Sequence, residues 1–151
     1  MSIFSAFNSS ASALTAQRLR MDVISSNTAN AQTTRAKVNE NGEYEPYRRK
    51  LLITAANEQS FGKILNKVTH KQSSIGTGVK VTNIVEDQAP FNIIFDPTHP
   101  DAGEDGYVAY PNVDPLKEMV DLMGANRSYE ANVTALNASK GILLKALEIG
   151  K

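Results

Sequence analysis

Two histidines, a cluster of acids, a glycine pair and one basic run are the residues of this chain whose types and spacing could do chemistry. His70 and His99 are far apart and have no ligand-like spacing. His99 stands in a turn between Thr98 and Pro100, with Asp96, Asp101, Glu104 and Asp105 around it. Such a cluster invites calcium, but its order and spacing match no EF-hand loop, and a solvated acidic turn accounts for it. Cleavage of a glycan needs two carboxylates framing a cleft. Glu104 and Asp105 are the one tempting pair, and adjacent side chains in a flexible turn are poorly placed for that work. Gly76-Thr77-Gly78 lacks the further glycines, the Lys and the following helix of a phosphate loop. Serines abound near the N-terminus, but no Gly-x-Ser-x-Gly elbow is present. Arg48-Arg49-Lys50, flanked by Tyr47 and Leu51, could meet nucleic acid or an acidic surface. Alternation in a strand would send those side chains to both faces, which fits an exposed strand edge better. No catalytic residue, cofactor or metal is assigned, and the expected class is not an enzyme.

Bulk properties narrow the remaining classes. In 151 residues, 16 basic and 16 acidic side chains cancel, so no general field attracts nucleic acid or anionic lipid. Hydrophobic residues make up 41%, enough for a core, yet aromatics are 7% and Trp is absent, which disfavours a large compact one. The absence of cysteine removes disulfides, thiolate metal sites and cysteine catalysis together. The N-terminal stretch has no basic region before its apolar residues and no uninterrupted apolar run, so a Sec-type signal is not expected. No stretch approaches the roughly 20 apolar residues of a membrane span. Export, if it occurs, is expected by a route without a cleaved signal.

Three regions must position whatever this chain does. Residues 2 to about 30 are rich in Ala, Ser and Asn, with Phe4, Phe7, Ala11, Leu14, Met21 and Ile24 at helical intervals. Arg18 interrupts this narrow stripe, and such a helix must draw its stability from tertiary packing. Residues 31 to about 112 read as loops and strands. Asn41-Gly42 signals a turn, and strands are expected over 47–53, 78–85, 91–95 and 107–110. They could form a small antiparallel sheet of unreadable order, while Phe61 to Gly76 stays unassigned between helix and loop. Asp114-Pro115 then opens a last helix, Asp as N-cap and Pro at the first helical position. The expected fold class is α+β, with long terminal helices pairing as a coiled coil and a small antiparallel β region between them. The expected organisation is 1–34 and 113–151 as one helical domain and 35–112 as the β-rich insertion.

The last helix carries a heptad seam. Met119, Asn126, Val133, Lys140 and Leu147 are its a positions, and Leu122, Tyr129, Leu136 and Leu143 its d positions. At 1.5 Å per residue it is about 50 Å long, too long for so small a sheet, so the seam must meet another helix. An internal hairpin with the first helix would satisfy it; so would neighbouring copies, and the two are compatible. Polar Asn126 and Lys140 at a positions specify register, and apolar flanks at Leu116, Val120, Met123, Ile142 and Leu144 widen the face beyond one partner. Gly124 and Gly141 each cost about 1 kcal/mol inside a helix; close approach of a neighbouring backbone would repay it, and a merely tolerated small residue is the more common case.

Asn27-Thr28-Ala29-Asn30-Ala31-Gln32-Thr33-Thr34 at the end of the first helix resembles the N-terminal motif of bacterial flagellar axial proteins, with Asn27, Ala29, Asn30 and Thr33 as its marked positions. Gln32 stands where Asn is more usual, and Arg35 where many relatives have Gly; the missing Gly fits the proximal-rod branch rather than distal rod or hook. Pro46–Lys50, Gly78–Val81, Ile84–Asp87, Asp96–Ala102 and Gly106–Pro115 are similar to proximal-rod proteins, in order along the chain. Arg127-Ser128-Tyr129-Glu130-Ala131-Asn132-Val133 resembles the C-terminal helix motif of the same family. The resemblance implies a structural subunit of the flagellar rod, exported unfolded by the flagellar type III apparatus and polymerised outside the cytoplasmic membrane. It implies as partners further copies of itself, other rod proteins and the export-gate or membrane-ring end of the basal body, with no nucleic acid and no small-molecule substrate. A recognition module of another secretion or adhesion system is the rival reading.

Overall fold

No proline or glycine occurs between residues 3 and 29, and nothing breaks α1, a helix over Ile3–Ala29 in this computed structural model. The structure describes residues 3–39, 42–57 and 78–149. The short polar side chains that would favour turns are turned back on the helix instead: the hydroxyls of Thr15 and Thr28 donate to the carbonyls of Ala11 and Ile24. Its most covered residues are Ala16, Val23, Ile24 and Asn27. The helix closes on Asn30, whose backbone N–H and side-chain amide both donate to the Ser26 carbonyl.

Among the described residues the strands form three two-stranded sheets rather than one. β1 (Lys37–Val38) pairs antiparallel with β2 (Tyr44–Glu45), around a turn in which Gly42 takes φ 82°. β3 (Lys50–Ala56) pairs with β4 (Val79–Glu86). β5 (Asn92–Phe95) pairs antiparallel with β6 (Tyr107–Tyr110), from Asn92 opposite Tyr110 to Phe95 opposite Tyr107. Gly106 enters β6 at φ 75°, and a Cβ there would lie 2.9 Å from the Phe95 ring, so only glycine fits. The expected strand over 47–53 begins three residues later, at Lys50, because Tyr47 and Arg49 spend their groups on α1 and on loop residues first. The unassigned stretch 61–76, with His70, lies outside the described residues.

α2 runs over Pro115–Ile149. Asp114 caps it as expected, its carboxylate accepting from the N–H groups of Leu116 (3.0 Å) and Lys117 (3.4 Å). α1 and α2 pack against each other, which with the small antiparallel sheets makes the chain α+β. Two compact units share it. One takes α1 up to Arg20, α2 from Gly124 onward and strand residues between Ile53 and Asn83; the other takes Met21–Leu52 and Ile84–Met123. In the first, the Ser12 hydroxyl accepts from Val79 N–H at 3.0 Å, and a Cβ at Gly78 would overlap that hydroxyl. The second carries most of the polar structure described next. Among the described residues no helix is long and apolar enough to cross a membrane.

Candidate functional site

Asn27 sits one turn before the end of α1 and is 1% exposed, so each polar atom of its amide needs a partner. All four hydrogen-bonding positions are filled. Its Nδ2 donates to the Lys50 carbonyl (3.0 Å) and to Glu118 Oε2 (3.1 Å). Its Oδ1 accepts from Lys50 N–H (2.9 Å) and from the Tyr47 hydroxyl (3.0 Å). The amide thus holds both backbone groups of Lys50 as a neighbouring strand would. Lys50 N–H can only donate and its C=O can only accept, which fixes the orientation of the amide.

Glu118, in the first turn of α2, is fully buried. A buried carboxylate must be paired, and its second oxygen accepts from Arg49 Nε at 2.6 Å. The Arg49 guanidinium also reaches Asp121 (3.4 Å) and Asp87 (3.8 Å). Asn112 anchors the same backbone: its Oδ1 accepts from Arg49 N–H at 2.8 Å, and its Nδ2 donates to the carbonyls of Asp87 and Ala89. The end of α1, the entry to β3, the exit of β4 and the start of α2 therefore meet at one polar node. The basic run is not a free surface: besides Arg49, Arg48 stacks over Phe91 at 4.3 Å and the Lys50 ammonium lies 5.6 Å from the Tyr47 ring centre.

The residues just after α1 make a second polar cluster. Thr33 donates from its hydroxyl to Asn30 Oδ1 (3.2 Å), and its carbonyl accepts from Tyr47 N–H. Asp101 accepts from Thr34 (2.7 Å) and from Arg35 Nε (2.6 Å), with a further close ion pair to the same guanidinium. The Arg35 guanidinium and the Thr34 hydroxyl hold the Asp101 carboxyl below its ordinary range. Asp96 is depressed too, by the hydroxyl and backbone N–H of Thr98. Two of the acids that looked like cation ligands, Asp96 and Asp101, are thus spent on hydroxyl, amide and guanidinium partners. His99 Nδ1 accepts from Asp101 N–H at 3.1 Å.

The expected packing residues divide by position. Along α1, Phe7, Leu14 and Met21 are half-buried and Ile24 is buried, while Phe4 lies in the helix with its side chain outside the described set. Along α2, Leu122, Tyr129, Val133, Leu136 and Leu143 are half-buried, but Met119, Asn126, Lys140 and Leu147 are exposed. The covered stripe is Glu118, Leu122, Ala125, Tyr129, Asn132, Leu136, Ser139 and Leu143; it lies one residue earlier than expected at Met119, Asn126 and Lys140, while Val133 is half-buried beside Asn132. In the N-terminal motif Asn27 is buried, Asn30 and Thr33 are half-buried and structural, and Ala29 is exposed. Sequence reasoning singled out Tyr47 and Arg49 in the basic run without giving either a packing role, and it missed Glu118. The one signal for Glu118 was spacing: it stands four residues before Leu122 and seven before Ala125, on one helical face.

Comparison with known proteins agrees at both ends and over the whole length. The family description "Flagella basal body rod protein" matches residues 7–37, and "Flagellar basal body rod FlgEFG protein C-terminal" matches 104–149. The chain is 60% identical to the flagellar basal-body rod protein FlgC of Bacillus subtilis, over all of both chains. It is 42% identical to that of Borreliella burgdorferi, over 99% of this chain and 98% of the other. Against that of Salmonella typhimurium the identity is 37% over the full length of both. The chain belongs to the flagellar basal-body rod protein FlgC family.

Proposed function

We propose that this chain is a structural subunit of the flagellar basal-body rod, placed in its proximal segment and built in through its terminal helices. The observation that carries the reading is the end-to-end similarity to rod proteins. The surface of α2 supports it: Leu116, Met119, Val120 and Met123 near its start and Ile142, Leu144, Leu147 and Ile149 near its end are all more than half exposed. So much apolar surface on one helix is what a protein keeps for burial against others. In this reading α1 and α2 pair as a coiled coil, residues 1–34 and 113–151 act as the helical domain, and 35–112 form an insertion. Other copies and other rod proteins are the partners. The chain reaches its place outside the cytoplasmic membrane through the flagellar export apparatus and ends against the export-gate or membrane-ring side of the basal body. Its work is to carry torque, not to catalyse. No observation favours a recognition module of another secretion or adhesion system.

Complementation tests this. In a flagellated strain lacking its own copy, the full chain is expected to restore swimming and a chain without residues 1–25 is not. Rods that incorporate the shortened chain and still turn would remove α1 from the assembly. Replacing Leu136→Asp and Leu143→Asp together is expected to block assembly while the β strands persist. Normal rods from that variant would remove α2.

A further inference from the structure

Two seams overlap on α2. They share Leu122, Tyr129, Leu136 and Leu143 and differ in one residue per heptad: Met119, Asn126, Val133 and Lys140 in one, Glu118, Ala125, Asn132 and Ser139 in the other. A step of one residue is a rotation of 100° about the axis at those positions. The first seam is the more apolar, and hydrophobic burial alone would turn it inward. The chain covers the second where the two differ most: Glu118 is buried and Met119 exposed, and Ala125 is 3% exposed while Asn126, beside it, is exposed; farther on, Asn132 and Val133 are both half-buried.

Little in the second seam accounts for that choice. Asn132 donates to the Ser128 carbonyl at 2.8 Å and Ser139 to the Ala135 carbonyl at 3.0 Å, so both satisfy themselves on their own helix. Ala125 has no polar group to place. Glu118 alone bonds away from α2, to Asn27 Nδ2 at 3.1 Å and Arg49 Nε at 2.6 Å. Turning Met119 inward would swing this carboxylate off both partners.

We propose that Glu118 is a positioning residue: its bonds to Asn27 and Arg49 select the rotation of α2, with Glu118 and Ala125 inward and Met119 and Asn126 outward. The helix is unbroken from Pro115 to Ile149, so a rotation set in its first turn is carried along it. Resting on the rod reading, the consequence is that the open side of α2, with Met119 and Leu147 exposed, is the face offered to a helix of a neighbouring rod subunit.

The chain has no cysteine, so single cysteines report rotation cleanly. Thiol labelling of the purified chain with Asn126→Cys is expected to be about tenfold or more faster than with Ala125→Cys, as an exposed site outruns one that must open first. Adding Glu118→Leu is expected to bring that ratio to one or below, with helical circular dichroism retained. Glu118→Gln keeps an oxygen to accept from Arg49 while its NH2 cannot accept from Asn27 Nδ2, and with that one bond left it is expected to keep the wild-type order. An unchanged ratio in Glu118→Leu overturns the proposal, as does a reversed ratio in Glu118→Gln. Loss of helicity in Glu118→Leu also overturns it, because Glu118 would then be needed to fold rather than to choose a register. All of this is read on the isolated chain, so its failure leaves the rod reading standing, and failure of complementation leaves the register result standing.

Discussion

A single amide does unusual duty in this chain. Asn27 satisfies both backbone groups of Lys50, a buried carboxylate and a buried phenol, and no other side chain of its size has two donors and a two-lone-pair acceptor in one plane. Asn27→Ala leaves at least one of those groups buried without a partner, and is expected to destabilise the chain by about 2–4 kcal/mol in urea unfolding. A cost below about 0.5 kcal/mol would mean that water reaches the node. Arg49→Met is expected to be at least as severe, about 3–5 kcal/mol, because it strands the fully buried Glu118 as an uncompensated charge. The comparison matters more than either value, since a buried ion pair adds little to stability as a whole but much is lost when one partner goes.

The elements around the node are held by contacts of a different kind. β1 and β2 are two residues each, with Val38 and Tyr44 about 60% exposed, and a two-stranded hairpin that short has little stability of its own. It is fastened by Lys37 to Glu86 and, next to it, by Arg35 to Asp101, with the Arg35 guanidinium over the Tyr44 ring at 5.2 Å. The carboxyls of Glu86, Asp96 and Asp101 are all depressed, the first by its bond from Lys37, the second by Thr98 and the third by Arg35. A folded-state value below the unfolded one means that the contribution is whole above the unfolded carboxylate value, about 4, and is lost as pH falls through the depressed one. Hydrogen exchange over 36–39 and 42–45 is therefore expected to be flat from pH 7 to 5, after correction for intrinsic rate, and to speed up below about pH 4. Added salt should act in the same direction, since these pairs are exposed. Protection unaffected by acid and salt would show that the backbone bonds hold the hairpin without them.

For the whole molecule, the two glycines inside α2 link stability to assembly. A Cβ built on Gly124 or Gly141 meets nothing within 4 Å among the described residues, so none of those residues makes the close approach that would repay them. Gly124→Ala and Gly141→Ala are each expected to raise the stability of the isolated protein by about 0.5–1 kcal/mol, through backbone entropy and helix propensity alone. If neighbouring helices occupy that space in the rod, the same changes reduce swimming. A gain in urea midpoint with unaltered swimming would mark the glycines as merely tolerated. A loss of midpoint would show that the space is already filled.

Local rules made much of this architecture legible. The Asp114-Pro115 helix start, the Asn-Gly turn and the strands over 78–85, 91–95 and 107–110 follow from capping, turn chemistry and alternation, all of which act within a few residues. The N-terminal motif marked Asn27 without saying what its amide would hold. The partners of Asn27 come from positions 47, 50 and 118, and no local rule brings them together. Nor does periodicity decide the face of α2. Counting apolar residues turns Met119 inward, whereas the structure turns Glu118 inward, the rotation that brings its carboxylate to the Asn27 amide and the Arg49 guanidinium. By itself, then, the sequence determined two long helices and the strands between them, since those depend on neighbours along the chain. The tertiary structure alone decided that the described strands split into three separate pairs and which side of α2 is covered. The second outcome rests on hydrogen bonds from Glu118 to Arg49 and Asn27, far away along the chain.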